Sequence, residues 1–329
     1  MVSETLTHLH PPTIAEISLK ALRENFRILR NRIPAGVKIM GVVKANAYGH
    51  GAVDVGAALV SAGADFLAVA SLFEAAELRD DPRKSLTTLG SPCRGTRDAG
   101  ITAPILILSE SPAEAADEVI RLGVHQTVYT NELAQALSEA ARRAGTQATV
   151  HIKVDTGMGR VGIDWQSAAA WIADVTKLPG LQIEGLFTHF AKAELKDDPY
   201  TKLQLSRFED VRSALKERHI SIPLTHAANS AAALFHPQTH YNMVRLGLCL
   251  YGLNITPQTP FGLPLQPVLS LKTRVLYAKR AAAGTSLGYG GTYITPRETT
   301  IVTLPIGYAD GLHRAQSGIG QGLIHGRRF

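Results

Sequence analysis

Short apolar runs alternate with alanine-rich amphipathic segments along most of this 329-residue chain. Eight such runs can be counted, and residues at helical spacing follow most of them. Eight repeats of a strand and a helix are typical of a closed parallel barrel. The runs are Ile39–Lys44, Phe66–Ala70, Ile105–Leu108, Thr127–Tyr129, Val150–Val154, Ile183–Thr188, Leu224–His226 and Met243–Tyr251.

The pattern changes at both ends of this repeat. A short strand is predicted at Ile14–Ser18, followed by a helix at Lys20–Arg32. After about Gly252, prolines mark a linker, and Leu269–Tyr277 and Thr299–Pro305 predict strands between glycine-rich turns. We therefore expect an α/β chain in three parts, namely a polar tail at 1–13, a (β/α)8 TIM-type barrel at 14–252 and a smaller, truncated all-β domain at 253–329.

Polar residues stand where the predicted barrel strands end. They are Lys44, Asp155, His189, Asn229 and Arg245. In a parallel barrel the carboxyl ends of the strands form the face that carries chemistry. A partly buried lysine on a rigid strand end suits a Schiff base with a carbonyl cofactor, although a solvated lysine gives the same pattern. Tyr48, four residues later, could reach a phosphate held by the N–H groups of the turn.

Seven motifs in order resemble those of one enzyme family. The segment Lys44–Gly51 (KANAYGHG) resembles the pyridoxal-phosphate (PLP) lysine motif of bacterial alanine racemases. The resemblance covers nearly the whole chain. The other motifs are KVDTGMGR from Lys153, THF from Thr188, HAANS from His226, VRLG from Val244, GYGGTY from Gly288 and LPIGYADG from Leu304.

The resemblance implies racemisation of alanine bound to PLP as an external aldimine, with one base on each face of Cα. Lys44 would hold PLP and act as one base, and Tyr289 from the β domain of a partner subunit would act as the other. His189 would stabilise the phenolate of Tyr289, whose usual pKa near ~10 is high for a base. Arg245, backed by His226, would face the pyridine nitrogen and leave it unprotonated.

The resemblance also implies which residues bind the cofactor phosphate and the substrate. Arg160 would meet the substrate carboxylate or the phenolic oxygen of PLP, and Tyr308 would line the substrate entrance. Lys153 often carries a carbamate in this family, which would hold Arg160 in place. No metal ion is implied. The further cofactor-binding residues are Tyr48, Asn229, Ser230, Gly247 and Leu248.

Composition and charge limit the classes of partner that this chain is expected to bind. The net charge is +6, but the basic residues are scattered, so an anionic small molecule is a more economical partner than nucleic acid. Cys93 and Cys249 lie far apart, which favours a reducing compartment over a disulfide framework. The start of the chain lacks a signal-peptide pattern, and no apolar run approaches the ~20 residues needed to span a bilayer. We expect a cytoplasmic homodimer that binds neither nucleic acid nor a membrane.

Two stretches depart from the family pattern. The chain stops at Gly326–Phe329, in the middle of an expected hairpin, so we expect it to be C-terminally incomplete. Whether this shortened chain is active is left open at this point. Arg79–Ala99 is longer than the ~2–6 residues typical of such a connection, and it is polar and rich in Pro and Gly. We interpret it as an inserted loop without an assigned role.

Several functions compete at this point. The leading interpretation is an alanine racemase that supplies D-alanine for peptidoglycan. The alternatives are a non-catalytic PLP-binding barrel protein, which would lack the Tyr289 and Tyr308 motifs, and an inactive fragment of a racemase. A PLP decarboxylase of the same plan would need a cysteine in the β domain, and none follows Cys249. Gly157–Gly162 (GMGRVG) fits a dinucleotide fingerprint, but Glu184 begins its strand where a ribose-binding acid would end one.

Overall fold

The computed structural model describes residues 12–80, 100–254 and 260–329. Nearly all of the polar tail expected at 1–13 lies outside these ranges. So do Cys93 and most of the loop expected at 79–99.

Eight parallel strands form a ring in chain order. The first seven strands pair in succession, and the eighth pairs with the first, in register from Met243 opposite Lys38. The remaining junction is bridged by the Arg245 N–H, which donates to the Ala228 carbonyl at 3.0 Å. The ring strands are Lys38–Val42, Phe66–Val69, Ile105–Ile107, His125–Val128, Ala148–Asp155, Leu181–Phe187, Leu224–His226 and Met243–Leu246; a short strand, Ile163–Asp164, pairs beside the fifth.

Helices separate these strands, and several begin at a side-chain cap. The Ser18 hydroxyl accepts from the Ala21 N–H at 3.2 Å, and the Thr130 hydroxyl accepts from the Leu133 N–H at 3.3 Å. Such caps satisfy N–H groups that the helix itself leaves free. The α-helices are Leu19–Arg30, Ala52–Ser61, Leu72–Asp80, Ala116–Leu122, Asn131–Arg143, Trp165–Val175, Tyr200–Glu217 and Ser230–Phe235, with 3-10 turns at Ala113–Ala115, Pro237–Thr239 and Leu248–Tyr251.

An apolar cluster fills the ring from alternate residues of five strands. Alternation places every second side chain on one face of a strand, so these residues meet inside the barrel. Tyr48 and Leu108 pack against the cluster, which therefore leads up to the carboxyl ends of the strands. The buried members are Met40, Val42, Phe66, Ala68, Leu106, Leu224 and Met243.

The predicted fold class is confirmed, with small shifts in the boundaries. The run Thr127–Tyr129 is a strand that begins two residues earlier, at His125. The run Met243–Tyr251 divides into the strand Met243–Leu246 and the 3-10 turn Leu248–Tyr251. Gly247 separates them because its φ of -125° and ψ of -100° leave the extended region.

A second compact unit contains Leu269–Phe329 and, from the start of the chain, the strand Ile14–Ile17, whereas Ser18–Val268 forms the first. It consists of antiparallel pairs, as the predicted all-β class requires. Ile14–Ile17 pairs with Leu269–Lys272, and Thr13 Oγ1 adds a hydrogen bond to the Pro305 carbonyl at 2.8 Å. The other pairs are Tyr277–Ala281 with Thr299–Thr303, Ser286–Leu287 with Tyr293–Ile294, and Leu323–Ile324 with Arg327–Arg328.

The described ranges contain neither a membrane-spanning helix nor a metal-binding cluster of side chains. None of their helices combines the length and the apolar character needed to cross a bilayer. Among the same residues, no group of three or more His, Cys, Asp or Glu side chains is arranged to hold a metal ion.

Candidate active site

A cavity of about 210 Å³ opens at the carboxyl ends of the barrel strands. Val42, Leu108, Phe187 and Ala231 supply part of its wall. A wider depression of about 470 Å³ lies beside His219, at the end of the helix Tyr200–Glu217, and lacks the polar groups of the smaller cavity. Residues expected from the sequence supply the rest of the smaller cavity, namely Lys44, Tyr48, Lys153, Arg160, His189, Asn229, Ser230, Arg245, Gly247 and Leu248.

Lys44 begins a left-handed turn, Lys44–Gly49, directly after the first ring strand. The φ angles of Ala45, Asn46, Ala47 and Tyr48 lie between 51° and 55°. None of these residues is glycine, and an L-residue in this conformation costs about 1–2 kcal/mol because Cβ approaches the following carbonyl. Strain of this kind persists only where the surroundings hold it, and it is concentrated at functional sites.

Glu74 holds the start of this turn. Its carboxylate accepts from the Ala45 N–H at 2.8 Å and from the Ala70 N–H at 2.7 Å, which ties the turn to the end of the neighbouring strand. The Asn46 side chain accepts from the Ala52 N–H at 2.7 Å and so fixes the start of the next helix. Sequence reasoning missed Glu74, because an acid in the first turn of a helix is common and gives no further signal.

The cavity is strongly cationic. Burial, and then the charge of Arg160, lowers the pKa of Lys44 below its usual value. Burial also lowers the pKa of Lys153 to about 8, with Arg245 and Arg160 contributing. Both shifts arise because these side chains share one cavity of low polarity, and that arrangement favours an anionic ligand.

The Asp155 carboxylate accepts hydrogen bonds within the turn that follows its strand. It accepts from the N–H groups of Gly157 at 2.8 Å and of Gly159 at 3.0 Å. A pyrophosphate bound to the Gly157–Gly162 turn would need these same N–H groups. The geometry therefore gives no support to a dinucleotide site.

Arg245 is 4% exposed and uses both terminal nitrogens of its guanidinium. Nη1 donates to His226 Nδ1 at 3.0 Å and to the His226 carbonyl at 2.9 Å. Nη2 donates to the Thr188 carbonyl at 2.8 Å, the Ala227 carbonyl at 3.0 Å and His189 Nδ1 at 3.1 Å. The part of the chain described here gives Nε–H no acceptor, so that donor is left for a ligand. Burial lowers the pKa of Arg245 to about 9, so it stays protonated near neutral pH.

The same contact sets the tautomer of His189. Arginine has no acceptor, so His189 Nδ1 must accept, and the proton of the neutral ring lies on Nε2. Burial and the charge of Arg245 lower the pKa of His189 well below its usual value, which keeps the ring neutral. Gln204 fixes the backbone here by donating to the His189 carbonyl at 3.0 Å. No signal in the sequence pointed to Gln204.

The opposite end of the cavity is lined by hydroxyl and backbone groups. Gly247 leaves room there, because a Cβ at this position would lie 2.9 Å from Tyr48 Oη. The Gly247 N–H, expected to bind phosphate, donates to Ser230 Oγ at 2.9 Å. Burial raises the pKa of Tyr48, which keeps its hydroxyl a donor. Tyr251 packs against Tyr48 with ring centroids 5.1 Å apart and donates to the Val42 carbonyl at 2.9 Å.

Three predicted residues lie outside the wall of the cavity, and a fourth, Asn229, has a second contact. His226 is fully buried behind Arg245 and does not line the cavity. Asn229 lines it, but its side-chain oxygen caps the next helix by accepting from the Ala232 N–H at 3.0 Å. Tyr289 and Tyr308 belong to the second compact unit, where they are 103% and 79% exposed.

Comparison with known proteins identifies relatives along the whole chain. The family model described as "Alanine racemase, N-terminal domain" matches residues 17–255, and "Alanine racemase, C-terminal domain" matches residues 268–329. The chain is 43% identical over 317 residues to an alanine racemase of Symbiobacterium thermophilum, covering 96% of this chain and 79% of the relative.

Solved structures show the same similarity. An alanine racemase of Clostridium difficile 630 superposes with a TM-score of 0.86 at 37% identity, over 98% of this chain and 80% of that one. The alanine racemase of Bartonella henselae with covalently bound pyridoxal phosphate superposes with a TM-score of 0.77 at 27% identity, over 93% and 78% of the two chains.

Proposed function

The chain belongs to the alanine racemase family of PLP-dependent isomerases, and from this premise we propose that it interconverts L- and D-alanine with two bases, Lys44 and Tyr289. The observation that carries the proposal is one cavity at the barrel mouth that gathers a lysine of lowered pKa, a buried arginine with a free Nε–H and a hydroxyl-lined end.

The residues present fit pyridoxal phosphate. Lys44 offers an amine for covalent attachment, and the absence of a side chain at Gly247 leaves space beside the Tyr48 hydroxyl for a phosphate. Ser230 Oγ–H, Leu248 and Asn229 complete that end of the cavity. When bound, the cofactor supplies an electron-withdrawing ring that stabilises negative charge at the substrate Cα.

Lys44 serves as the first base. Burial lowers the pKa of its ammonium, so the neutral amine that can accept a proton is more accessible near neutral pH. It stands on a rigid strand end and precedes a turn whose conformation Glu74 restrains. When free, the Lys44 amine would remove or return the Cα proton on one face of the substrate.

Tyr289 of a partner subunit serves as the second base. Its full exposure within one chain is compatible with burial against another copy. His189 supports this role, because Arg245 occupies Nδ1 and leaves Nε2–H as a donor to a phenolate. A donor hydrogen bond of this kind stabilises the charged tyrosine and lowers its pKa toward the working range of a base.

Arg245 and Arg160 orient the two anionic partners of the reaction. The free Nε–H of Arg245 would donate to the ring nitrogen of the cofactor, which would leave that nitrogen without a proton of its own. Arg160 at the cavity wall binds the substrate carboxylate, and Tyr308 lines the entrance. Lys153, with a pKa of about 8, has a fraction of neutral amine that can form a carbamate with CO₂ and hold Arg160. Labelled [13C]bicarbonate should give a carbamate signal that Lys153→Met abolishes.

The biological setting follows from the reaction. D-alanine is a building block of peptidoglycan, so we propose that the enzyme supplies it in the cytoplasm as a homodimer with shared sites. We expect no partner of nucleic acid and no membrane association. The 14–252 barrel and the 253–329 β domain then supply different bases to each site.

The test is exchange of the alanine Cα hydrogen in D₂O, measured together with PLP content. We expect both enantiomers to take up deuterium and converge on a racemic mixture, and borohydride to fix the cofactor on the Lys44 peptide. Bound PLP without exchange would favour the non-catalytic barrel or inactive fragment. PLP fixed on another lysine would refute the assignment of Lys44. Lys177→Met, on the exposed surface, is the matched control and should keep both signals.

A further inference from the structure

Three histidines from three different strands form a continuous hydrogen-bonded row through the barrel interior. His125 Nδ1 lies 3.1 Å from His151 Nε2, and His151 Nδ1 lies 2.9 Å from His226 Nε2. His226 Nδ1 is the acceptor that Arg245 Nη1 uses at 3.0 Å. His125 is the first residue of its strand and His226 the last of its own, so the row runs from the amino-terminal end of the barrel to the cavity.

We propose that Arg245 sets the direction of this whole row, and that His151 and His125 are positioning residues which hold Arg245 through His226. A guanidinium can only donate, so His226 Nδ1 accepts and the proton of a neutral His226 ring lies on Nε2. That proton is donated to His151 Nδ1, which places the His151 proton on Nε2. His151 in turn donates to His125 Nδ1, and His125 also carries its proton on Nε2.

The barrel is built around this row. A Cβ at Gly185 would overlap the imidazole ring of His151, so the strand Leu181–Phe187 gives up a side chain where the ring lies. The pairing between this strand and the strand of His151 shifts register at that point, between Val150 and His151. Glycine inside a strand often marks a close approach of this kind.

Aromatic rings fix the ends of the row. The Phe187 ring stacks on His226 with centroids 4.7 Å apart and planes 9° apart. The Phe66 ring meets His125 edge-on at 5.6 Å and His151 at 6.4 Å. The imidazoles are therefore confined in position and have little freedom to rotate toward other partners.

The row stabilises the buried positive charge of Arg245. This guanidinium is buried, and no carboxylate among the described residues forms an ion pair with it. A buried charge without an opposite charge depends on hydrogen bonds and oriented dipoles. Each imidazole in the proposed tautomer turns its acceptor nitrogen toward Arg245, so the three ring dipoles point the same way and favour the positive charge.

The charged groups around the row support neutral rings. His125 is faced by Arg79, His151 by His125 and Arg245, and His226 by Arg245 and His151. Burial contributes most, and the charges of Arg79 and Arg245 add to it, so the pKa of His125 falls to about 4 and those of the other two fall well below their usual value. Since Arg245 does not give up its proton, the row orients and stabilises rather than conducts protons.

The role of the row in catalysis rests on the proposed function, because it matters only if Arg245 serves a bound ring nitrogen. The tautomers themselves do not depend on activity. The first experiment is therefore [15N]histidine NMR of the holoenzyme near neutral pH, with each histidine assigned by substitution. We expect His125, His151 and His226 to be neutral and protonated on Nε2. A proton on Nδ1, or on both nitrogens, of any of the three would overturn the inference.

Two variants separate positioning from a general loss of structure. His151→Phe keeps an aromatic ring but removes both nitrogens, and should let His226 populate the Nδ1–H form. His151→Gln keeps an acceptor and a donor, so its His226 signal should resemble that of the wild type. Gly185→Ala displaces the ring without changing a titratable group and should shift the His226 signal as His151→Phe does. An unchanged His226 tautomer in both disruptive variants would refute the ordered row.

Kinetics provide the second readout. Removing the hydrogen bond between His226 and residue 151 should lower kcat roughly 3- to 10-fold in His151→Phe. KM should change little, because no substrate contact is removed, and His151→Gln should recover most of the loss. A larger effect of His125→Phe than of His151→Phe would contradict an influence that weakens with distance from Arg245. Inactive protein with three Nε2–H rings would instead reject the proposed function and leave the tautomer order standing.

Discussion

A residue that can only donate determines the state of its neighbours in this site. Arg245 fixes the acceptor nitrogens of His189 and His226, although neither ring could be assigned a tautomer from its own position. The reverse case is His50, whose Nδ1 lies 3.0 Å from the carbonyls of Ala47 and Tyr48 and must therefore carry a proton. Single contacts thus decide which nitrogen of each ring carries the proton.

Tyr48 and Tyr251 form a matched pair with different tasks. Tyr48→Phe removes the proposed donor to the phosphate and should weaken PLP binding roughly 10- to 100-fold, since a hydrogen bond to a charged group is worth about 1.5–3 kcal/mol. Tyr251→Phe leaves the Val42 carbonyl unpaired and should instead lower the unfolding free energy by about 1–3 kcal/mol. PLP titration and denaturant unfolding measure the two effects. Equal losses of PLP affinity in both variants would contradict this division.

The buried histidines predict how stability depends on pH. His125 has a folded pKa of about 4, against a usual value of 6.5. Between these values the unfolded chain binds a proton that the folded protein does not, so the free energy of unfolding falls as the pH falls through this window. At pH 5 the loss is about 2 kcal/mol for this histidine.

His125→Gln should reduce that pH dependence. Glutamine retains hydrogen-bonding groups but does not titrate, so the variant should lose about 2 kcal/mol less than the wild type between pH 7 and pH 5. Urea unfolding at the two pH values measures the difference, and His313→Gln on the exposed surface serves as the control. Identical pH slopes for wild type and His125→Gln would show that this ring is not held neutral.

At the scale of elements, parallel strands deliver the functional groups and a strained turn presents them. Chemistry gathers at the carboxyl ends because every ring strand runs the same way. The left-handed turn Lys44–Gly49 then reverses the usual helical sense directly after the lysine. Glu74 and Asn46 bind its backbone N–H groups and those beside it, which offsets part of the strain.

Two alanine-to-glycine substitutions test this turn. Ala45 has a φ of 51°, where glycine relieves the steric cost, so Ala45→Gly should change stability by between zero and about +1 kcal/mol. Ala57 is exposed inside the helix Ala52–Ser61, where Ala57→Gly should cost about 1 kcal/mol. Thermal unfolding of both variants measures the contrast. A loss at Ala45 as large as that at Ala57 would rule out the left-handed conformation.

At the scale of the whole molecule, the proposed function is divided between two compact units. In this proposal the barrel supplies the cofactor contacts and the first base, and the second unit carries Tyr289. That unit exposes several large apolar side chains, including Ile319 at 75% and Leu323 at 72%. Exposed apolar surface of this kind favours a protein partner, and a second copy of the chain would also provide the missing base.

Mixed dimers test whether the site is shared. Neither Lys44→Ala nor Tyr289→Phe should racemise alanine alone. A mixture that forms heterodimers should regain up to about a quarter of the wild-type activity per site, because half of the dimers are mixed and one of their two sites has both bases. Alanine exchange with native mass spectrometry of the mixture measures both quantities. Heterodimers without recovered activity would place both bases within one chain.

Much of this organisation could be predicted from the sequence. The spacing of apolar runs predicts the barrel, since each buried strand needs a covering helix. The site residues follow because Lys44, His189 and Arg245 stand at or near the ends of different strands, and parallel strands bring such ends together. The grouping of these site residues therefore depends on local patterns that are repeated in order along the chain, and such patterns can be recognised in the sequence.

Only the tertiary structure decided the contacts that join distant segments. The row from His125 to His226 joins three strands, and it exists because Gly185 leaves space across a register shift. The pairing of Ile14–Ile17 with Leu269–Lys272, and the hold of Glu74 on Ala45, likewise join residues far apart in the chain. Hydrogen-bond partners and tautomers depend on which groups meet within about 3 Å, and that is settled only when the barrel closes.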